Sequence, residues 1–186
     1  TNNFIYPSYG NWMNTAAITS LTFTANAGNF VAGSTFQLYG RGGANVTVNP
    51  EPGLPVIGEV VTSGSQSSVT FSGIPQTYRD LMIAVNGRGT AAAAFTNVQA
   101  QFNGDTGSNY DYQYFQGYST GSGGANAFGQ TSMIIGSIPA ASATANYAGN
   151  LSFHVFDYKD TTFDKTASTS NGFVSGTSGS NTNVGM

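Results

Sequence analysis

Asn103, Asp105, Ser108, Asn109 and Asp111 offer oxygen ligands at short spacing, close enough together for one calcium ion to use several of them. Their spacing departs from the calcium loop that closes on a Glu, and the same residues suit a tight turn, because Asn and Asp bond their own backbone in reversals. Asn103, Asp105 and Asp111 stand as weak calcium candidates, and the expectation is no metal and no cofactor. A general base is scarcer still. His154 is the only histidine, and its parity in Leu151-Ser152-Phe153-His154-Val155 sets it opposite Phe153 and Val155, beside Phe156. Serines are abundant, yet no Gly-x-Ser-x-Gly elbow joins a strand to a helix, and no Ser pairs with His154 in a recognisable order. The carboxylates open to glycoside hydrolysis are Asp105, Asp111, Asp157, Asp160 and Asp164, with Glu51 and Glu59. None sits in a signature that would bury one carboxyl and expose its partner, as a protonated acid beside an ionised one requires. The expectation is therefore a protein that is not an enzyme.

The elements that position these residues read as β-strands. Val98, Ala100 and Phe102 alternate with Gln99 and Gln101, and Tyr110, Tyr112 and Tyr114 repeat the same period after Asn103-Gly104, so the stretch reads as a hairpin with a polar tip. A second hairpin is expected from Ala17–Ala25 and Thr35–Tyr39 around Asn26-Ala27-Gly28-Asn29, with Gly33 serving a bulge or the start of a strand. Further strands are expected at Val56–Val61, Ser68–Phe71, Asp80–Val85, Ser132–Ile135, Asn150–Asp157 and Thr161–Ser168. Ala91–Ala94 is too short for a helix, and the Gly- and Ser-rich run Thr120–Gly129 reads as a loop. Short strands at regular spacing favour an all-β fold, an antiparallel β-sandwich of jelly-roll type.

Composition narrows the function classes. Only 7% of residues are charged, the formal net charge is -3, and five basic residues are scattered, which leaves no basic patch for nucleic acid. With no cysteine, disulfides and sulfur-bound zinc are excluded. No apolar run reaches the about 20 residues of a membrane-spanning helix, and no membrane insertion is expected. Thr1 in place of Met suggests a processed product or an excised segment. The expected organisation is a lead and hairpin over 1–40, a Pro- and Gly-rich arm over 41–64, the main sandwich over 65–172, and a tail over 173–186 too poor in apolar residues to hold itself.

Ile18-Thr19-Ser20-Leu21-Thr22-Phe23, followed by Gly28 to Gly40 with Gly33-Ser34-Thr35-Phe36-Gln37-Leu38-Tyr39, resembles a module of tailed-bacteriophage virion proteins, notably fibre and head-decoration proteins. Phe102-Asn103-Gly104-Asp105 with Ser108-Asn109-Tyr110 is similar to that module's central hairpin, and Ile74-Pro75 with Tyr78-Arg79-Asp80-Leu81 to its opening strands. The resemblance implies a surface β-sandwich of a viral particle and no particular reaction. In the module the Gly-Ser-x-Phe-x-Leu-Tyr-Gly pair comes last, whereas here it comes first, so residues 16–40 are expected to complete a sheet elsewhere, in the same chain or in a neighbour.

The first functional expectation is thus a structural decoration or fibre subunit on the virion surface. Its partners would be copies of itself, a trimer included, and other virion proteins, with assembly through Leu21, Phe23, Phe36, Leu38 and Tyr39. The alternative is a glycan-binding module that meets a host surface glycan through Tyr112, Tyr114 and Tyr118.

Overall fold

Alternation of apolar with small polar residues builds strands along most of the chain. The computed structural model describes residues 3–43, 54–118 and 121–174, with side chains described over 8–42, 54–117 and 121–174. Among the described residues there is no helix. The strands are β1 (Asn3–Trp12), β2 (Ser20–Ala25), β3 (Thr35–Gly43), β4 (Val56–Val61), β5 (Ser68–Ser72), β6 (Tyr78–Gly87), β7 (Phe95–Phe102), β8 (Tyr110–Tyr118), β9 (Gly121–Gln130), β10 (Met133–Pro139), β11 (Gly149–Val155) and β12 (Lys165–Val174).

They form two antiparallel sheets, a β-sandwich. The large sheet has eight strands in the order β4-β3-β6-β11-β12-β1-β8-β9, and the small one has four, β10-β7-β2-β5. Strict period-two burial marks the inward faces: Thr96, Val98, Ala100 and Phe102 on β7; Leu151, Phe153 and Val155 on β11; Leu81, Ile83 and Val85 on β6. Aromatic rings join the sheets. Phe23 of the small sheet meets Phe36 at 5.9 Å and Phe153 edge-on at 6.3 Å, and Phe102 meets Trp12 edge-on at 5.4 Å. Polar ties cross the same interior. Thr169 Oγ1 donates to the Ile135 carbonyl at 2.7 Å and Asn171 Nδ2 to the Ser137 carbonyl at 2.6 Å, both on the edge strand β10, whose ladder to β7 shifts register between Ile134 and Gly136.

Both expected hairpins are corrected. β7 pairs with β2 and β10, while β8 pairs with β1 and β9, so 103–109 is an arch that carries the chain from the small sheet to the large one. The reversal chemistry is as read, with Asn103 at φ 53° and Gly104 at φ 66°. What local pattern cannot show is that Phe102 and Tyr110 both face the interior from opposite sheets. Likewise β2 pairs with β5 and β7 whereas β3 pairs with β4 and β6. The connection crosses the sandwich through Phe30, bridged to Gln66 and Gly89 and buried against Phe36.

Residues 16–40 therefore complete both sheets of their own chain. The segments read as lead, arm and sandwich all place strands in these two sheets. Two strands escape a local reading. The lead contains β1, a central strand of the large sheet, and the Gly- and Ser-rich run read as a loop is β9, held by its ladder to β8. Of the expected tail, Phe173 and Val174 end β12 and the remainder lies outside the described residues.

Candidate functional site

The arch at 103–109 uses its polar residues as structural joints. The Asp105 carboxylate accepts from Trp12 Nε1 at 2.7 Å, Asn109 Nδ2 at 2.8 Å and the Gly107 N–H at 2.8 Å. The bonds from Asn109 and Trp12 hold Asp105 below the ordinary carboxylate range, partial burial pulls the other way, and the Gly107 N–H adds to the lowering. Asn103 Oδ1 accepts from the Thr19 and Ser20 N–H groups at 2.8 and 3.1 Å while its Nδ2 donates to the Ala17 carbonyl at 2.9 Å. Asp111 Oδ1 accepts from the Gly129 N–H at 2.8 Å across the β8–β9 ladder. The three calcium candidates thus serve three separate joints, and among the described residues no group of His and acidic residues is arranged to hold a metal ion. Tyr110 closes the arch: its hydroxyl accepts from the Phe102 N–H at 2.9 Å and donates to the Asp105 carbonyl at 3.1 Å, and burial pushes its pKa up to about 12.

The residues expected to assemble copies lie elsewhere than at a surface. Leu21, Phe23, Phe36 and Leu38 are buried in the chain's own core and leave no area for a neighbour. Tyr39 alone faces outward, half-buried, with its hydroxyl donating to Gln37 Oε1 at 2.8 Å. The expected glycan residues are corrected by parity. Tyr112 and Tyr114 share the inward face of β8 with Tyr110 and stack on each other at 6.5 Å, Tyr112 against the main core and Tyr114 against Phe173. The Tyr118 side chain lies outside the described residues. The outward ring of this strand is Phe115, 55% exposed.

Two surfaces remain. The first is the face of the large sheet turned away from the small one. One cross-strand row runs Tyr39, Met82, His154, Ser168, Tyr9, Gln113, with Ser152 and Ser170 paired one step further along β11 and β12. The serines are small between larger neighbours, which leaves a shallow cleft of about 230 Å³ flanked by Tyr9 and His154. Tyr9 is 73% exposed. Burial holds the His154 pKa below the ordinary imidazole value; the charge of Arg41 acts in the same direction and Asp80 against it, so the ring is neutral at pH 7. No carboxylate lines the cleft. Asp80, beneath the same sheet face, is engaged: burial pushes its pKa up, but bonds from Arg79 and the Asp157 N–H, with the charges of Arg79 and Arg41, bring it below normal. The parity of His154, Ser152, Ser168 and Ser170 is readable from the sequence; the meeting with Tyr9 is not, because it depends on β1 lying beside β12.

The second surface is the edge of the large sheet at β9. Gly121–Gln130 pairs with β8 on one side, is exposed on both faces along nearly its whole length, and contains neither a charge nor a proline. The other sheet edges are blunted: β4 carries Glu59 and follows Pro55, β5 spans five residues, and β10 is bulged. Phe128, 69% exposed, stands on β9 near the bulge at Gly129. Compared with known protein families, with curated proteins and with solved structures, the chain matches none.

Proposed function

We propose that this chain is a non-enzymatic structural subunit that joins a second copy of itself edge to edge through β9. The observation that carries the reading is a ten-residue edge strand, uncharged and open on both faces, in a chain whose other edges are guarded. Antiparallel pairing of β9 with its copy about a two-fold axis would satisfy the free backbone groups of both strands and merge two large sheets into one. Phe128, exposed on this edge strand, would lose solvent at the seam. The small net charge offers little repulsion between copies. Two-fold edge pairing favours a dimer over the trimer. A virion surface as the setting is supported by the resemblance of the Ile18–Phe23, Gly28–Gly40 and Phe102–Tyr110 segments to phage fibre and decoration modules, and by a sandwich that stays wet with hydroxyls and amides rather than charge.

Sedimentation velocity over a range of concentrations tests the reading, with the native chain set beside the double variant Ser122→Lys/Asn126→Lys. Both positions are exposed on β9, so the fold is retained while like charges meet across a paired edge. The native chain is expected to associate with rising concentration and the variant to remain monomeric. A native chain monomeric throughout, or a variant associating equally well, overturns the proposal.

A further inference from the structure

We infer that the cleft between Tyr9 and His154 on the outer face of the large sheet is a binding site for a neutral saccharide. Its lining decides the chemistry. Ser152, Ser168 and Ser170 offer hydroxyls that both donate and accept, the pattern that sugar hydroxyls match in return. The neutral His154 ring adds one donor and one acceptor without adding charge. No charged side chain lines the cleft, so a phosphate, sulfate or carboxylate would enter without a cation to meet it.

Tyr9 supplies the apolar part. Its ring is 73% exposed and so contributes little to the core, while an aromatic face with a polar tip suits the C–H face of a pyranose. Ser168 pairs directly with both His154 and Tyr9, which sets the two walls two strand spacings, about 10 Å, apart with a small residue between them. A volume of about 230 Å³ falls below the roughly 300–1,000 Å³ of sites for larger ligands and fits a single sugar ring. Tyr9 pairs with Gln113, which puts Phe115 on the same face at the diagonal position, about 7–8 Å away. A second ring of an oligosaccharide would reach Phe115. The site is formed by β1, β11 and β12, near the middle of the sheet, and does not depend on pairing at β9.

An array of immobilised neutral and acidic oligosaccharides, followed by titration calorimetry with the strongest neutral binder, tests the inference. The native chain is expected to bind neutral members, and Tyr9→Ala to weaken that binding about tenfold, the loss that one stacked ring accounts for. Ser168→Tyr, which fills the cleft from an outward position, is expected to abolish it, and Phe128→Ala, at the β9 edge, to leave it unchanged. A blank array, binding confined to acidic members, or binding unaltered in both Tyr9→Ala and Ser168→Tyr overturns the inference. Unfolding curves of each variant separate lost binding from lost fold.

Discussion

Trp12 donates its indole N–H to Asp105 Oδ2 at 2.7 Å, and this bond ties a central strand of the large sheet to the arch that leaves the small one. Trp12 is buried and packs edge-on against Phe102 and stacked with Tyr110, the two residues that bracket the arch. The polar tip of the sequence is therefore a joint between the layers.

Asp105→Ala is expected to cost about 2 kcal/mol, the scale of hydrogen bonds to a charged acceptor. Urea unfolding followed through the fluorescence of the one tryptophan measures it. The sign with pH follows from the lowered pKa of Asp105. The unfolded chain takes up protons first as acid is added, so this stabilisation is complete above the ordinary carboxylate pKa of about 3.9 and is lost as pH falls through the lower folded value. Asp80, also lowered, adds in the same direction. Asp105→Asn is expected to flatten the acid limb of stability; an acid limb unchanged from native would show that the bonds contribute nothing.

Asn103 combines a left-handed backbone with four side-chain bonds to the Ala17–Ser20 segment. Asn103→Gly keeps the backbone and loses the bonds, whereas Asn103→Ala loses the bonds and strains the backbone. Alanine is expected to be the more damaging by about 1 kcal/mol, on equilibrium unfolding of both variants. Equal losses would mean that the conformation carries no cost here.

Phe23→Ala and Leu38→Ala test the placement of residues that the sequence assigns to assembly. As core positions they are expected to lose about 3–5 and about 2–5 kcal/mol respectively, at concentrations where the chain is monomeric. Tyr39→Ala, on the outward face, is expected to fall well below both. Near-native stability of Phe23→Ala in the monomer would return that residue to an interface.

Strands β7 and β11 were legible because each buries one face only, so Val98-Ala100-Phe102 and Leu151-Phe153-Val155 write the period into the chain. Sheet membership was not, since the arch at 103–109 and a hairpin share the same Asn-Gly chemistry and differ only in what pairs with each arm. Glycine and serine in β9 read as a loop, because its order comes from β8 and not from its own side chains. At the candidate site, the outward parity of His154 was visible, while the inward turn of Tyr112 and Tyr114 was hidden: alternation shows that two faces exist, and packing decides which is covered.

Arg88 donates to the carbonyls of Ala143, Thr144 and Tyr147 at 2.7, 2.8 and 2.9 Å, closing the loop between β10 and β11 with one fork. Arg88→Lys cannot reproduce that geometry and is expected to speed amide exchange through 140–148 while leaving β6 and β11 protected. Exchange unchanged in the loop would show that it is held by other contacts.

Hydrogen–deuterium exchange of the native chain, compared between dilute and concentrated samples, examines the β9 edge most directly. New protection of the amides of Gly121–Ala127, with the edges at β4, β5 and β10 unchanged, is the expected result. Exchange that is independent of concentration at β9, or protection that arises at another edge instead, would contradict the account.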